Sequence, residues 1–175
     1  FEMWDRFDYA QQFWEKNPFR PVNNITYTVA DSGLKNNYPQ HPGSNENPFF
    51  RSVPKQENNP LILKYQQAHV DRVLAISLAY PNVLYCMDNE TNAHPEWGAY
   101  WSTYIKAAAD EKGVLVQTTE MWDNWNLRAP EHHGTLDHPE QYSFIDTSQN
   151  NHKKGQEHWD NLQWVREYIR DAPRP

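Results

Sequence analysis

Carboxylate side chains stand at four points where an apolar segment of the chain ends. These points are Trp4-Asp5, Asp88-Asn89-Glu90, Thr119-Glu120-Met121-Trp122-Asp123 and Asp146-Thr147. In parallel α/β proteins the carboxyl ends of the strands meet at one edge of the sheet, where ligands bind. Cleavage of a glycosidic bond needs a pair of carboxyl groups, one as acid and one as base or nucleophile. One such acid alone indicates a solvated loop residue, but four on this spacing weaken that interpretation for the group.

Three helices that could position these carboxylates are predicted by apolar residues recurring on one helical face. The clearest pattern consists of Trp97, Tyr100, Trp101, Tyr104, Ile105 and Ala108. Gly113 supplies a stop for that helix, and Asn59-Pro60 supplies an N-cap and first turn for an earlier one. The predicted helices cover residues 60–79, 96–112 and 156–170.

Apolar runs outside these helices predict strands. They lie at Phe1–Trp4, 83–87, 114–118 and 142–145. Runs without alternating polar residues suit strands buried on both faces, as in parallel sheets. We therefore expect the α/β class, with the strands at 83–87 and 114–118 adjacent, parallel and joined by a right-handed crossover. Periodicity leaves both a partial (β/α)₈ barrel and a smaller doubly wound sheet open.

The length of 175 residues is typical of one domain. A complete (β/α)₈ barrel takes about 250 residues, so residues 1–175 are expected to be one partial barrel domain cut from a longer protein. Residues 5–59 differ from the rest because they are rich in Asn and Pro and have few periodic apolar positions. Such a stretch usually carries function or is disordered, so we expect a long loop region within the domain.

The composition combines many aromatic side chains with a polar background. Aromatic residues make up 14% of the chain, while the mean hydropathy is −0.99. Rings can stack on the apolar face of a pyranose, although aromatic side chains also dominate protein cores. With a formal net charge of −7 and a pI of about 5.6, nucleic acid is not an expected partner. No apolar run approaches the ~20 residues of a membrane span, so no membrane partner is expected.

The segment Val83-Leu84-Tyr85-Cys86-Met87-Asp88-Asn89-Glu90 resembles the fourth strand of retaining (β/α)₈-barrel glycoside hydrolases. That superfamily includes many cellulases, mannanases and β-galactosidases, in which this strand ends in Asn-Glu. The resemblance implies that Glu90 is the acid/base and that Asn89 bonds the 2-hydroxyl of the sugar. It makes Phe1–Asp5 the third strand and the run at 114–122 the fifth. The implied fold is a partial (β/α)₈ TIM barrel of about strands 3 to 6 with their helices.

The resemblance supplies only half of the catalytic pair. In the family the nucleophile is a second Glu at the end of the seventh strand, and no residue of this chain matches it. We therefore expect the nucleophile outside this chain, and we expect these residues alone to be inactive. The competing possibility is Glu120 on the neighbouring strand, which would complete a two-carboxylate site together with Glu90.

Further strand-end residues are expected around Glu90. A general acid needs burial or a like charge that raises its pKa, and Asp88 and Glu120 could supply the charge while Tyr85 and Trp122 exclude water. The predicted substrate-binding residues are Asn89, Trp4, Asp5, His94, Glu120 and Trp122. The two Trp rings would be stacking platforms on the same rim as Glu90.

Histidines cluster with acids in Glu131-His132-His133 and Asp137-His138. These residue types bind zinc, but no HExxH spacing is present, and Gly134 with Pro139 indicates a loop. A solvated or substrate-contacting loop is therefore favoured over a metal site, and no cofactor is expected. Cys86 is the only cysteine, so no internal disulfide can form, and it is expected to be a core residue.

Three functions stay open. The first is a retaining glycosidase that acts on a poly- or oligosaccharide, for which a secreted or periplasmic bacterial location would be suitable. The second is a carbohydrate-binding barrel without catalysis, since a fold alone does not fix a function. The third is a metal-dependent hydrolase built on residues 131–138, and bound zinc in the purified protein would favour it.

Overall fold

The computed structural model describes residues 1–5, 11–38, 47–171 and 174. Within them, three parallel strands form one sheet, in the order β1 (Glu2–Asp5), β2 (Leu84–Asn89) and β3 (Gln117–Thr119). The α-helices are α1 (Gln11–Trp14), α2 (Val29–Ser32), α3 (Pro60–Ser77), α4 (Pro95–Asp110), α5 (His133–Leu136) and α6 (Gly155–Tyr168). The protein is therefore of the α/β class, as the sequence predicts.

The pairing of the strands confirms the predicted neighbours, although the strand predicted at 114–118 covers Gln117–Thr119, and Leu115 before it is exposed. Strand β2 pairs in parallel with β1, where Asp5 lies opposite Asn89, and in parallel with β3, where Cys86 lies opposite Thr119. Helix α4 lies between β2 and β3 in the chain. The carboxyl ends of the three strands therefore lie at one edge of the sheet, and the side chains that follow them are brought together there.

Helices α3 and α4 begin where local chemistry predicts. Asn59 caps α3, because its side-chain oxygen accepts a hydrogen bond of 3.2 Å from the Ile62 backbone N–H, and Pro60 occupies the first turn. Helix α4 follows His94, with Pro95 in its first turn. The face of α4 that enters the core is buried and includes Trp97, Trp101, Ile105 and Ala109. This i, i+4 spacing is the amphipathic stripe that fixes the helix on the sheet.

An aromatic cluster fills the main core. The buried Trp4 ring of β1 lies with its centroid 5.3 Å from those of Phe49 and Trp101 and 6.0 Å from that of Trp97. Burying a large aromatic side chain contributes on the order of 1.5–3 kcal/mol. The high aromatic content is therefore explained in good part by packing between β1, α4 and the segment that precedes α3.

The described residues of the 5–59 region contain more secondary structure than its composition predicts. Besides α1 and α2, it contains 3₁₀ helices at Pro21–Asn23 and Pro48–Arg51. The apolar side chains that it buries include Trp14, Tyr27, Leu34, Phe49, Phe50 and Val53. Turns of three or four residues give no periodic pattern, so hydrophobic spacing does not detect them. Residues 6–10 and 39–46 of this region lie outside the described residues.

The strand predicted at 142–145 is wrong. The segment does lie beside β3, since the Ser143 backbone N–H donates to the Thr118 carbonyl at 2.9 Å. The next contacts use side chains: the Thr118 N–H donates to Ser143 Oγ at 3.0 Å, and Thr119 Oγ1 donates to the Phe144 carbonyl at 2.8 Å. Hydroxyl groups thus replace the backbone ladder, and no strand forms.

Helix α6 closes a second, smaller core. Val165 packs there with Leu127 and Leu136, and Leu162 of α6 and Ile169 just after α6 cover them. The shared face of Leu162, Val165 and Ile169 is the pattern that predicted a helix over 156–170. Among the described residues, no helix has both the length and the apolar content needed to cross a bilayer.

Candidate functional site

Glu90 lies in a bulge at the carboxyl end of β2. Residue 86 pairs with 119, and Thr91 next forms an isolated parallel bridge with Trp122. Between these two pairings the β2 segment therefore has four residues, Met87 to Glu90, whereas the segment after β3 has only Glu120 and Met121. Glu90 absorbs the difference by adopting a φ of 45°. A non-glycine residue in this left-handed region costs on the order of 1–2 kcal/mol, and such strain is often found at functional sites.

Backbone hydrogen bonds hold the bulge closed. The Thr91 N–H donates to the Met121 carbonyl at 2.7 Å, and the Asp123 N–H donates to the Thr91 carbonyl at 2.8 Å. The chain is thus fixed immediately after Glu90. Bulges re-aim side chains at the ends of strands, and this one sets the direction of the Glu90 carboxylate.

The carboxylate of Glu90 is held by Gln149. Gln149 Nε2 donates to Glu90 Oε1 at 2.9 Å and lies 3.8 Å from Met121 Sδ. Gln149 is buried and belongs to a 3₁₀ turn at Ser148–His152, which precedes α6. A buried amide fixes the rotamer of the carboxylate while one oxygen of Glu90 stays available for another partner.

Asn89 and Asp5 lie at the same edge as Glu90. They are opposite each other on β2 and β1, and both side chains are partly buried. Of the predicted site residues, the structure therefore brings Asp5, Asn89 and Glu90 together along the carboxyl ends of two adjacent strands. Amide and carboxylate groups at such an edge suit the hydroxyl groups of a sugar.

The two tryptophans that were predicted as stacking platforms are core residues. Trp4 lies in the aromatic cluster of the main core. Trp122 is 4% exposed, and its Nε1 donates to Thr135 Oγ1 at 2.5 Å. Residue 134 is glycine because a Cβ there would lie 2.6 Å from the Trp122 ring. Neither ring presents a face to a ligand, and the prediction fails because a strand-end position does not determine which way a side chain points.

Glu120 is buried beneath α4 and does not line the site. It is 2% exposed, and a Cβ at Gly98 of α4 would overlap its Oε2 and lie 2.6 Å from the Tyr142 hydroxyl. Burial, and then the nearby charge of Asp88, raises the pKa of Glu120 well above its usual value, although the Asp88 backbone N–H opposes this. The like-charge pair expected beside Glu90 is instead formed by Asp88 and Glu120. Glu120 is therefore neither a substrate contact nor a second carboxylate for Glu90.

His94 lies at the start of α4. It is the exposed N-cap residue of α4 and makes no side-chain capping bond. Its side chain borders a shallow surface cavity of about 310 Å³ that it shares with Arg51, Lys55, Gln56, Glu57 and Glu96. Among the described contacts none joins His94 to Glu90, so it is a helix-start residue.

The histidine segment forms short helices rather than an open loop. His132 is buried and its Nε2 is 2.8 Å from the Asn124 carbonyl, while His133 Nδ1 is 2.9 Å from Asp137 Oδ2. The third histidine, His138, pairs with Glu140 at 2.9 Å. In the part of the chain that the structure describes, no three His, Cys, Asp or Glu side chains converge to hold a metal ion.

Cys86 is a core thiol. Burial raises its pKa, and the carboxylates of Glu120, Asp146 and Asp88 act in the same direction. The thiol donates weakly to the Asp88 carbonyl at 3.3 Å. A thiol with a raised pKa is a poor nucleophile, so the expected core position of Cys86 is confirmed by its burial.

Sequence reasoning missed Gln149 and Trp125. Gln149 is 59 positions from the residue that it holds, and a short 3₁₀ turn leaves no periodic signal. Trp125 is 53% exposed in the loop that follows β3. A signal for it was present, since it is the tryptophan within the polar segment Asp123-Asn124-Trp125-Asn126.

No family model, curated protein or solved structure matches this chain.

Proposed function

We propose that the chain is part of the catalytic domain of a retaining glycosidase, with Glu90 as acid/base and Asn89 as a ligand of the sugar. One observation carries the proposal: Glu90 occupies a bulged, left-handed position at the carboxyl end of a parallel strand, directly after Asn89. The sheet edge around it is polar, and its carboxylate is oriented by a buried amide. A strained backbone that aims one carboxylate out of a sheet edge is typical of catalytic sites.

The proposed fold is a (β/α)₈ barrel in which β1, β2 and β3 are the third, fourth and fifth strands. Parallel pairing in chain order and the helix between β2 and β3 support this arrangement. Because no strand forms at 142–145, the sixth strand of the proposed barrel is assigned to other residues.

In the proposed mechanism Glu90 donates its proton to the glycosidic oxygen as the bond to the anomeric carbon breaks. A nucleophilic carboxylate attacks that carbon and forms a glycosyl-enzyme; Glu90 then takes a proton from the water that hydrolyses it. The two carboxyl groups must lie about 5–5.5 Å apart for retention. Since Glu120 is buried under α4, the nucleophile is proposed to come from a strand outside these residues, as the family resemblance implies.

A carbohydrate-binding barrel without catalysis is the second candidate. It is favoured by one observation, that Glu120 on the neighbouring strand is buried under α4 and so cannot serve as the second carboxyl beside Glu90. Such a site would bind sugar hydroxyls through Asn89 and Glu90 without cleaving the chain.

The test is turnover of polysaccharides by the intact protein, followed by the configuration of the released reducing end. We expect retained configuration, and loss of turnover in Glu90→Gln. Glu111→Gln is the matched control, because Glu111 is exposed and lies at the opposite end of α4 from the site. Saccharide binding without turnover would select the second candidate, and inverted configuration would contradict the proposed mechanism.

A further inference from the structure

Trp125 carries an exposed indole in the loop that follows the Glu90 bulge. It lies three residues after Trp122, whose bridge with Thr91 closes that bulge. Its exposed fraction is 53%. An exposed tryptophan leaves a large apolar surface in water, and single ones can occur without function. Trp125 differs from such residues because its backbone is bound by the turn that also holds the Glu90 carboxylate.

The backbone of Trp125 is held by a buried side chain. Asn150 is fully buried, and its Nδ2 donates to the Trp125 carbonyl at 2.9 Å. Its carbonyl and its Oδ1 both lie 3.1 Å from His158 Nδ1 of α6. The backbone from which the indole extends is therefore fixed, which reduces the entropy lost when Trp125 binds a ligand.

The same turn holds both the backbone of Trp125 and the Glu90 carboxylate. Gln149 donates to Glu90 Oε1 at 2.9 Å, and the next residue, Asn150, donates to the Trp125 carbonyl at 2.9 Å. Two consecutive residues of one 3₁₀ turn thus fix the positions of Trp125 and Glu90 relative to each other. A saccharide chain whose scissile bond lay at Glu90 could place a neighbouring unit at Trp125.

Lys153 adds a cation beside the ring. Its Nζ lies 4.6 Å from the centroid of the Trp125 ring and 2.8 Å from Glu157 Oε1. The cation–π contact favours one orientation of the indole, and more than half of the residue stays exposed with Lys153 in place. An oriented, exposed, flat apolar surface beside polar groups suits the C–H face of a pyranose ring.

We propose that Trp125 is a saccharide-binding residue that stacks on a pyranose unit of the chain adjacent to the unit held at Glu90. The inference rests on the proposed function for the chemical class of its ligand. It adds a second contact region, on the loop after β3, to the sheet edge formed by β1 and β2.

Trp159 provides a matched control within the chain. It is 55% exposed, so its removal changes a similar area of indole surface. It lies on α6, and among the described contacts none ties its ring to Gln149, Asn150 or Glu90. A difference between the two Trp→Ala variants therefore reports on position rather than on exposure.

The test is calorimetric binding of β-1,4-linked gluco-, manno- and xylo-hexasaccharides to the intact protein carrying Glu90→Gln, which prevents turnover. We expect Trp125→Ala to weaken binding of the preferred hexasaccharide about tenfold or more, the scale of one lost aromatic contact. Trp125→Phe should recover part of the affinity and Trp159→Ala should match the parent. Thermal melts of each variant check that the fold is intact.

The outcomes separate this inference from the proposed function. Unchanged affinity in a folded Trp125→Ala variant, or no binding of any of the three saccharides to the parent, overturns the inference. Weaker binding in Trp125→Ala, in a protein whose wild type has no turnover, supports the inference and contradicts the glycosidase. Glu90-dependent turnover with an unchanged KM in Trp125→Ala supports the glycosidase and overturns the inference.

Discussion

Replacing Glu120 with Gln should remove a pH-dependent loss of stability. Burial and the charge of Asp88 raise the native pKa of Glu120 well above its ordinary value of 4.5. Above that ordinary value the unfolded chain has released a proton that the native protein still binds. The contribution of this carboxyl to the free energy of unfolding is therefore fully present below the pKa of the unfolded chain. It falls by about 1.4 kcal/mol per pH unit as the pH rises toward the native pKa.

The surroundings of Glu120 allow the amide. Its carboxyl accepts a hydrogen bond from the Asp88 backbone N–H, which a Gln oxygen can accept equally. The Tyr142 hydroxyl borders the same space below Gly98 and has no hydrogen-bond partner among the described residues. Burial also raises the pKa of Tyr142 and of Cys86, so both stay neutral and Asp88 is the charged neighbour.

Urea unfolding of the parent, Glu120→Gln and the exposed control Glu111→Gln, followed from about pH 5 to about pH 8, measures the effect. We expect the stability of Glu120→Gln relative to the parent to increase steadily with pH, while Glu111→Gln stays parallel to the parent. A difference between Glu120→Gln and the parent that is independent of pH would refute the reasoning, since it would mean that Glu120 binds protons equally in both states.

Three further changes test the geometry. Gly98→Ala should destabilise the fold by about 1–3 kcal/mol in urea unfolding, because its Cβ would overlap Glu120 Oε2; Glu120→Ala in the same chain should recover part of the loss. Asn59→Ala should cost about 1 kcal/mol by the same measurement, since it removes the cap of α3; no change would mean that water replaces the cap. Gln149→Leu should lower kcat in the intact protein, because Glu90 loses the donor that orients it, and an unchanged kcat would show that Gln149 has no role in positioning.

Local chemistry accounts for what the sequence predicts well. Helices α3 and α4 begin at Pro60 and Pro95 because a proline after a suitable N-cap position acts over only a few residues. Strand β2 follows from an uninterrupted apolar run. The place of Glu90 then follows from the rule that parallel strands present their carboxyl ends at one edge.

The direction of each side chain depends on contacts that are distant in sequence. The bulge at Glu90 requires the bridge between Thr91 and Trp122. No pattern in the sequence near Glu90 predicts that bridge. Trp122 is buried because residues 134 and 135 close over its ring. Glu120 is buried because Gly98 lets α4 approach it; a glycine inside a helical pattern was the one visible sign of that close packing.

The most direct test of the role proposed for Glu90 is the leaving-group dependence of Glu90→Gln in the intact protein. Aryl glycosides with leaving groups of graded acidity are assayed against the wild type, with Glu111→Gln as control. Glu90→Gln should reduce turnover of substrates with poor leaving groups about 10²–10⁴-fold and should affect activated aryl glycosides far less, because their departure needs little protonation. A loss of the same size for every leaving group, or no loss at all, would contradict the assignment of Glu90 as the acid.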